Sequence, residues 1–225
     1  MSVRAAKLAL RKRMRESLAT LARHDIEVQS ERVCQRLQAM PVMQQAQRIS
    51  VFLSMPTAEI DTWSLCRWVL SQGKDLYIPR FSTIADGAHA TTKHQFTEMH
   101  MLRVMSVDEL DHGLTPNKWG IAEPSWTLDN GAPRENALEP TSRGLDVIVM
   151  PGLAFDRQGG RLGHGKGYYD KYLLDARART PGGRTAAIAI ALEEQVLDEP
   201  VPRDAHDMPY DALITAEALY SVSTL

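Results

Sequence analysis

Between Met150 and Asp170 the chain gathers residues able to handle a phosphate. Gly152, Gly159, Gly160, Gly163, Gly165 and Gly167 are interleaved with Arg161, His164 and Lys166, and the span closes on Tyr168, Tyr169 and Asp170. An apolar run, Val147 to Met150, precedes it, and a helix-compatible run, Tyr168 to Ala178, follows. A glycine loop between strand and helix exposes backbone N–H groups and aims a helix N-terminus at whatever binds there. With Arg161 and Lys166 added, the natural guest is a phosphate. Gly160 to Lys166 also fits the first seven positions of the P-loop pattern, but Gly167 stands where that pattern needs Ser or Thr for magnesium. The early Pro151-Gly152 turn departs from it as well. The span therefore reads as a different phosphate loop, with magnesium held elsewhere.

Each candidate has a plainer reading beside the chemical one. Lys166 neutralises phosphate or is a solvated loop lysine; the neighbouring glycines and helix start favour the former. Asp170, in the first turn of the following helix, either favours the helix dipole or holds magnesium against phosphates. Tyr168 and Tyr169 flank a planar ligand or pack, and packing is the commoner use of paired aromatics at a helix start. Trp119 lies in the polar stretch Asn117 to Ile121, where an aromatic has little core to join and stacking on a ligand suits it. Glu59 follows an apolar strand in the loop Ser54 to Glu59, a plausible position for a ligand-binding acid. His89, His94, His100 and His112 match no zinc spacing and read as surface residues.

Composition narrows the classes. A chain of 225 residues, 44% of them apolar, suits one domain with a real core. A net charge of -2 argues against duplex nucleic acid as partner. No apolar run reaches membrane-spanning length. Cys34 and Cys66, each within an expected helix, read as buried, reduced thiols. Arg4, Lys7, Arg11, Lys12, Arg13 and Arg15 all precede the first acid, Glu16. That pattern fits a mitochondrial presequence, a basic helix of the mature protein, or a solvated face. Leu10, Met14, Leu18 and Leu21 form an apolar stripe, with Lys7, Arg11 and Arg15 a basic one beside it.

These residues need a scaffold, and the pattern supplies strands alternating with helices. Helices are expected from Arg4 to Leu21, from Asp25 (as N-cap) to Met40, from Asp61 to Leu70, from Tyr168 to Ala178, and briefly at the C-terminus. Strands are expected at Ile49–Leu53, Leu76–Ile78 (closed by Pro79), Asp146–Met150, Thr185–Leu192 and Ala212–Thr215. Phe96 to Met105 adds an antiparallel strand, Ser106 to Leu110 one helical turn, and Pro116 to Gly144 reads as irregular. Thr83–Thr92 and Thr127–Arg143 are linker-like, but neither divides the chain. The expected fold is α/β, a mostly parallel sheet flanked by helices. Ligands in such sheets sit beyond the carboxyl ends of the strands, where the Ser54–Glu59 loop and the glycine loop could share one cleft.

Three segments together resemble the 5-formyltetrahydrofolate cyclo-ligase family: Lys7-Leu8-Ala9-Leu10-Arg11; Ile49 to Pro56 with Glu59-Ile60-Asp61-Thr62; and Met150-Pro151-Gly152 through Arg161 to Asp170. Their order spans nearly the whole chain, and the third is highly specific. The resemblance implies a single cyclo-ligase domain over residues 1–225, with the fold of sugar-phosphate isomerase and coenzyme A transferase relatives. It implies ATP- and magnesium-dependent conversion of 5-formyltetrahydrofolate, with or without a polyglutamate tail, to the 5,10-methenyl form. It assigns ATP to Lys7, Arg11, Arg161, Leu162, Gly163, His164, Gly165, Lys166, Gly167, Tyr168 and Tyr169. It assigns folate to Leu53, Glu59, Trp119, His164, Gly165, Lys166, Gly167 and Tyr168, and Mg2+ to Asp170 and Asp207. Lys166, Arg161 and His164 would then act on the reacting groups. Position 164 departs from relatives that carry Arg there. If Lys7 and Arg11 hold ATP, the basic helix belongs to the mature protein, and a cytoplasmic monomer without nucleic-acid or membrane partners follows. The rivals are an ATP-independent isomerase or transferase, which would work without Mg-ATP, and a non-catalytic nucleotide or folate binder, which would bind without turnover.

Overall fold

A computed structural model of the chain describes residues 2–55, 58–83, 96–179 and 185–223. Apart from the backbone of Thr83, the Thr83–Thr92 linker lies outside them, as do His89 and His94. The N-terminal half runs α1 (Val3–Leu18), α2 (Arg23–Ala39), α3 (Pro41–Gln45), β1 (Arg48–Ser50), α4 (Trp63–Ser71), β2 (Asp75–Thr83) and β3 (Phe96–Val104). A π turn (Glu109–Gly113) and a two-residue pair, β4 (Thr115–Pro116) and β5 (Ala122–Glu123), follow. Then come β6 (Val147–Met150), β7 (Ala154–Asp156), β8 (Arg161–Leu162), α5 (Tyr168–Arg179), β9 (Ala186–Ile190), β10 (Val196–Leu197), β11 (Ala212–Ile214) and β12 (Leu219–Ser221).

The main sheet has seven strands in the order β12-β11-β9-β6-β1-β2-β3. The run β11-β9-β6-β1-β2 is parallel, and β3 and β12 add antiparallel edges. Burial on both faces explains the continuous apolar runs of the inner strands. Val147 and Val149 face α1 to α4, whereas Ile148 and Met150 face α5 through Tyr172, Leu173 and Ala176. All four β6 side chains have no exposed surface, and each such burial contributes about 1.5–3 kcal/mol. The expected stripe on α1 is present: Met14 and Leu18 are buried, and Leu10 and Leu21 pack against the same core. Helix α1 is thus part of the fold.

Several local expectations change. Asp25 is not an N-cap; Ala22 holds that position and Asp25 lies in the first turn of α2. Asp61 Oδ1 does accept the Trp63 N–H, at 2.9 Å, beside the N-cap Thr62. Strand β2 does not stop at Pro79 but runs to Thr83. The β1 ladder ends at Ser50 opposite Tyr77, so beyond that point the missing proline N–H costs no bond on that side. The expected C-terminal helix is instead β12. Thr215 closes a turn by accepting the Ala218 N–H at 3.0 Å, and Leu219 to Ser221 then pairs with β11. Edge pairing outweighs the helix propensity of Ala216-Glu217-Ala218. The stretch 116–144 is less irregular than its composition suggests. Ala137 N–H bonds Met101 C=O at 2.9 Å, and buried Arg134 pairs with Glu109 at 2.6 Å. Both cysteines are free and buried, and burial pushes the Cys34 thiol up to about 11.

Candidate active site

Strand β1 leads through α4 to β2 on one side of it, while β6 leads through α5 to β9 on the other. The connections diverge between β1 and β6, which makes that boundary a topological switch point and opens a crevice at the strands' carboxyl ends. The loop after Ser50 and the glycine loop after Met150 both leave there. Tyr169 links the two loops that could share a cleft: the Arg161 guanidinium lies 5.7 Å from its ring centre, and Ala58, the neighbour of Glu59, packs against the same core cluster as Tyr169.

The glycine loop has two parts. Its first half is a hairpin: β7 pairs antiparallel with β8, and β10 flanks β7. Asp156, wholly buried, organises it. Its Oδ1 accepts N–H bonds from Gln158 (2.9 Å) and Gly160 (2.8 Å), and its Oδ2 accepts the Val201 N–H at 2.7 Å. A Cβ at Gly160 would stand 2.1 Å from Asp156 Oδ2, so only glycine fits. The open part is Gly163 to Gly167. Gly165 takes a φ of +102°, natural for glycine alone. A Cβ there would meet the Arg11 guanidinium at 3.2 Å.

Helix α1 closes this part from above. Arg11 Nε donates to Gly163 C=O at 2.8 Å, across 152 positions of sequence. One turn earlier, Lys7 is buried, and its Nζ donates to Asp204 at 2.7 Å and, in a shorter contact, to Asp207. Partial burial by itself lowers the Lys7 pKa; the two carboxylates outweigh that and raise it above the usual lysine value. Arg161, from β8, is buried and pairs with Asp170 at 2.9 Å while donating to Pro151 C=O at 3.2 Å. Asp170 in turn accepts the Met208 N–H at 3.1 Å. Asp170 and Asp207, 37 positions apart in sequence, are thereby joined through Met208, the neighbour of Asp207. Each of these carboxylates holds one of the cations expected to meet phosphate. Lys166 is exposed and makes no hydrogen bond or ion pair with the described residues. His164 is exposed, yet crowding by the loop and α1 removes part of its water and, with the positive charges of Arg15, Arg11 and Arg161, lowers its pKa. Its imidazole is therefore neutral at pH 7.

On the other flank, aromatic rings line up. Phe81 from β2 lies 4.8 Å from Tyr168 and 5.9 Å from Trp119, the latter edge-on. Trp119 is 45% exposed, as a stacking surface requires, and the Lys118 ammonium sits 4.7 Å from its ring centre. Glu59 is buried and accepts the Met55 N–H at 2.9 Å; burial pushes its carboxyl up to about 7. It follows Ala58, whose φ of 62° is unusual for a residue with a Cβ. Leu53 is buried in the core, which leaves its backbone as the part a ligand could meet. Of the four clustered histidines two are described: His112 is a surface residue bonded to Asp108, whereas His100 is half-buried against Asn136 and Trp126 and so is not the surface residue expected.

Three site residues escape a reading of the sequence. Phe81 is hidden by ending β2 at Pro79. Asp204 was signalled only by an Asp-x-x-Asp spacing with Asp207. Arg15 was visible in the basic stripe but had no assigned partner. What the geometry defines is an α/β protein that gathers Lys7, Arg11, Arg161 and a glycine loop at its switch point, beside the rings of Phe81, Tyr168 and Trp119.

The sequence pattern of the 5-formyltetrahydrofolate cyclo-ligase family matches residues 3–216. The 5-formyltetrahydrofolate cyclo-ligase of Mus musculus is 35% identical over 214 residues, covering 95% of both chains. A probable 5-formyltetrahydrofolate cyclo-ligase of Schizosaccharomyces pombe is 33% identical over 213 residues, covering 92% of this chain and 94% of its own. The solved structure of Aquifex aeolicus 5,10-methenyltetrahydrofolate synthetase superposes with a TM-score of 0.72 at 28% identity, covering 97% of this chain and 94% of that one. The chain belongs to the 5-formyltetrahydrofolate cyclo-ligase family and is an enzyme of that family.

Proposed function

We propose that this enzyme closes 5-formyltetrahydrofolate to 5,10-methenyltetrahydrofolate at the expense of ATP, as one cyclo-ligase domain over residues 1–225. The observation that carries the reading is Arg11 bound to Gly163 C=O, which joins the basic helix to the open glycine loop at the switch point. Lys7 and Arg11 then lie beside the loop from Arg161 to Tyr169, where backbone N–H groups and Lys166 can receive phosphate oxygens. The aromatic wall of Trp119, together with Glu59, the Leu53 backbone and the loop from His164 to Tyr168, takes the folate.

A formamide oxygen is a poor leaving group. In the proposed reaction it attacks the γ-phosphorus of ATP, and the bond to ADP breaks. The nitrogen at folate position 10 then attacks the activated formyl carbon and loses its proton. The carbon–oxygen bond breaks, and that oxygen departs as part of inorganic phosphate. Phosphoryl transfer demands chiefly alignment and charge neutralisation. Lys166 supplies a mobile cation to the transferring group. Arg161 adds a second once Asp170 releases it, and neutral His164 offers a ring N–H without adding charge.

Magnesium, when bound, neutralises charge on the phosphates. Asp170 and Asp207 fit it. They are hard oxygen donors, and Asp170 accepts the N–H of Met208, the chain neighbour of Asp207. Magnesium takes one or two carboxylates and completes its shell with water and phosphate. We also place the enzyme in the cytoplasm as a monomer, without nucleic-acid or membrane partners. Its buried free thiols suit a reducing compartment, and among the described residues no helix is long and apolar enough to cross a membrane.

The test is absorbance of the methenyl product from 5-formyltetrahydrofolate, with ATP and magnesium each omitted in turn. Product only with both is expected. Equal product without ATP would show ring closure by direct loss of water and overturn the ATP-dependent reading; no product under any condition would favour the rivals, an isomerase or transferase acting on a phosphorylated metabolite or a non-catalytic binder.

A further inference from the structure

Lys7 is held by two carboxylates, and only one of them, Asp207, has a part in the chemistry proposed above. The other, Asp204, is aimed with care. Its Oδ2 accepts Lys7 Nζ at 2.7 Å, and its Oδ1 accepts the His206 N–H at 3.0 Å, which fixes the carboxylate plane. Its own N–H donates to Asp207 Oδ2 at 2.7 Å, on the same oxygen that Lys7 touches. The turn 204–207 therefore presents both carboxylates to one ammonium. Asp204 is half exposed (50%) and Asp207 is not (19%).

We infer that Asp204 is a positioning residue that keeps the Lys7 ammonium beside the nucleotide loop when Asp207 turns to a divalent cation. The inference rests on the nucleotide and magnesium roles proposed above. A divalent cation at Asp207 brings two positive charges against Lys7. With Asp207 as its sole partner, Lys7 would lose its counterion at that moment and compete with the metal for one oxygen. Asp204 removes the conflict, because the ammonium retains a partner at its present position. An ammonium has three N–H donors; two go to the carboxylates, which leaves one for a phosphate oxygen. Lys7 can thus bridge Asp204 and nucleotide while Asp207 serves the metal.

Asp204→Asn retains an oxygen for the His206 N–H, so the turn is kept and only the charge partner of Lys7 is weakened. Binding of a non-hydrolysable ATP analogue to the full-length protein is measured as magnesium is raised, in wild type, Asp204→Asn, Lys7→Met and the double variant. Asp204→Asn is expected to raise half-saturating magnesium roughly three- to fivefold, the scale of a half-exposed charge-assisted pair. In the Lys7→Met background the same change should shift it less than about 1.5-fold, because coupled sites are not additive. An equal shift in both backgrounds would assign Asp204 to bulk charge or to the turn and overturn the inference, as would no shift in either. If Lys7→Met binds nucleotide too weakly to titrate, Mn2+ binding to the nucleotide-free protein, followed by its paramagnetic signal, gives the same four-way comparison with the same deciding outcomes. Absence of nucleotide binding in wild type would instead refute the ATP role itself; intact binding with no coupling refutes Asp204 alone.

Discussion

Arg161→Met separates the structural and chemical duties of the loop. The arginine side chain is 4% exposed and that of its partner Asp170 16%, with 2.9 Å between them. Removing one member of a buried pair costs about 3–5 kcal/mol, because the other charge stays behind unpaired. Asp170 keeps the Met208 N–H at 3.1 Å and some water, which sets the cost near the lower end, about 3 kcal/mol. The lost bond to Pro151 C=O adds about 1 kcal/mol, partly offset by packing of the methionine chain. For a chain of this size each kcal/mol lowers the thermal midpoint by about 2–4 °C, so a fall of roughly 6–12 °C is expected. Arg161→Met/Asp170→Leu removes the stranded charge and should recover stability to within about 1 kcal/mol of wild type, with activity absent from both. Thermal and urea unfolding, both followed by far-ultraviolet circular dichroism, measure the midpoint and the free energy respectively. A single variant within 1 kcal/mol of wild type, or a double variant less stable than the single, would refute the reasoning.

Lys166→Ala should reduce kcat/KM by about 10²–10³-fold, the scale of one lost charge-stabilising donor, while His164→Ala costs less than about tenfold, because a neutral ring carries no charge to lose; steady-state kinetics giving equal losses would contradict the assigned roles. Glu59 lies at about 7 when folded against 4.5 unfolded, so its contribution is full below pH 4.5 and is lost as pH rises through 7. Glu59→Gln should therefore gain up to about 3 kcal/mol on wild type between pH 4.5 and 8, and urea curves with parallel pH slopes would exclude it. Trp119→Ala should raise the KM for folate by about tenfold, the loss of one stacking aromatic, and leave the KM for ATP unchanged; an equal rise in both would remove Trp119 from the folate wall.

Much of this site was legible because its parts are local. Glycine spacing between Gly160 and Gly167, the apolar run of β6 and the start of α5 are contiguous, and period alone separates strand from helix. The Leu10, Met14 and Leu18 stripe likewise told which face of α1 is buried. What stayed hidden is non-local. No local pattern near Asp170 announces Asp207, which only the family resemblance named; in the fold the Met208 N–H reaches Asp170 across 38 positions. The pairing of Lys7 with Asp204 spans 197 positions. The first half of the glycine stretch looked like open loop, but the buried Asp156 turns it into a hairpin, and a single acid among glycines gives no sign of that. Phe81 was lost to the general rule that proline ends strands, which fails where the neighbouring ladder has already stopped.

The central claim is that the formyl oxygen receives the γ-phosphate. Substrate carrying 18O in the formyl group, turned over once with unlabelled ATP and magnesium, should release inorganic phosphate bearing one 18O atom per methenyl product formed. Unlabelled phosphate, with the label recovered in water, would show that ring closure proceeds without phosphorylation of that oxygen and would contradict the account.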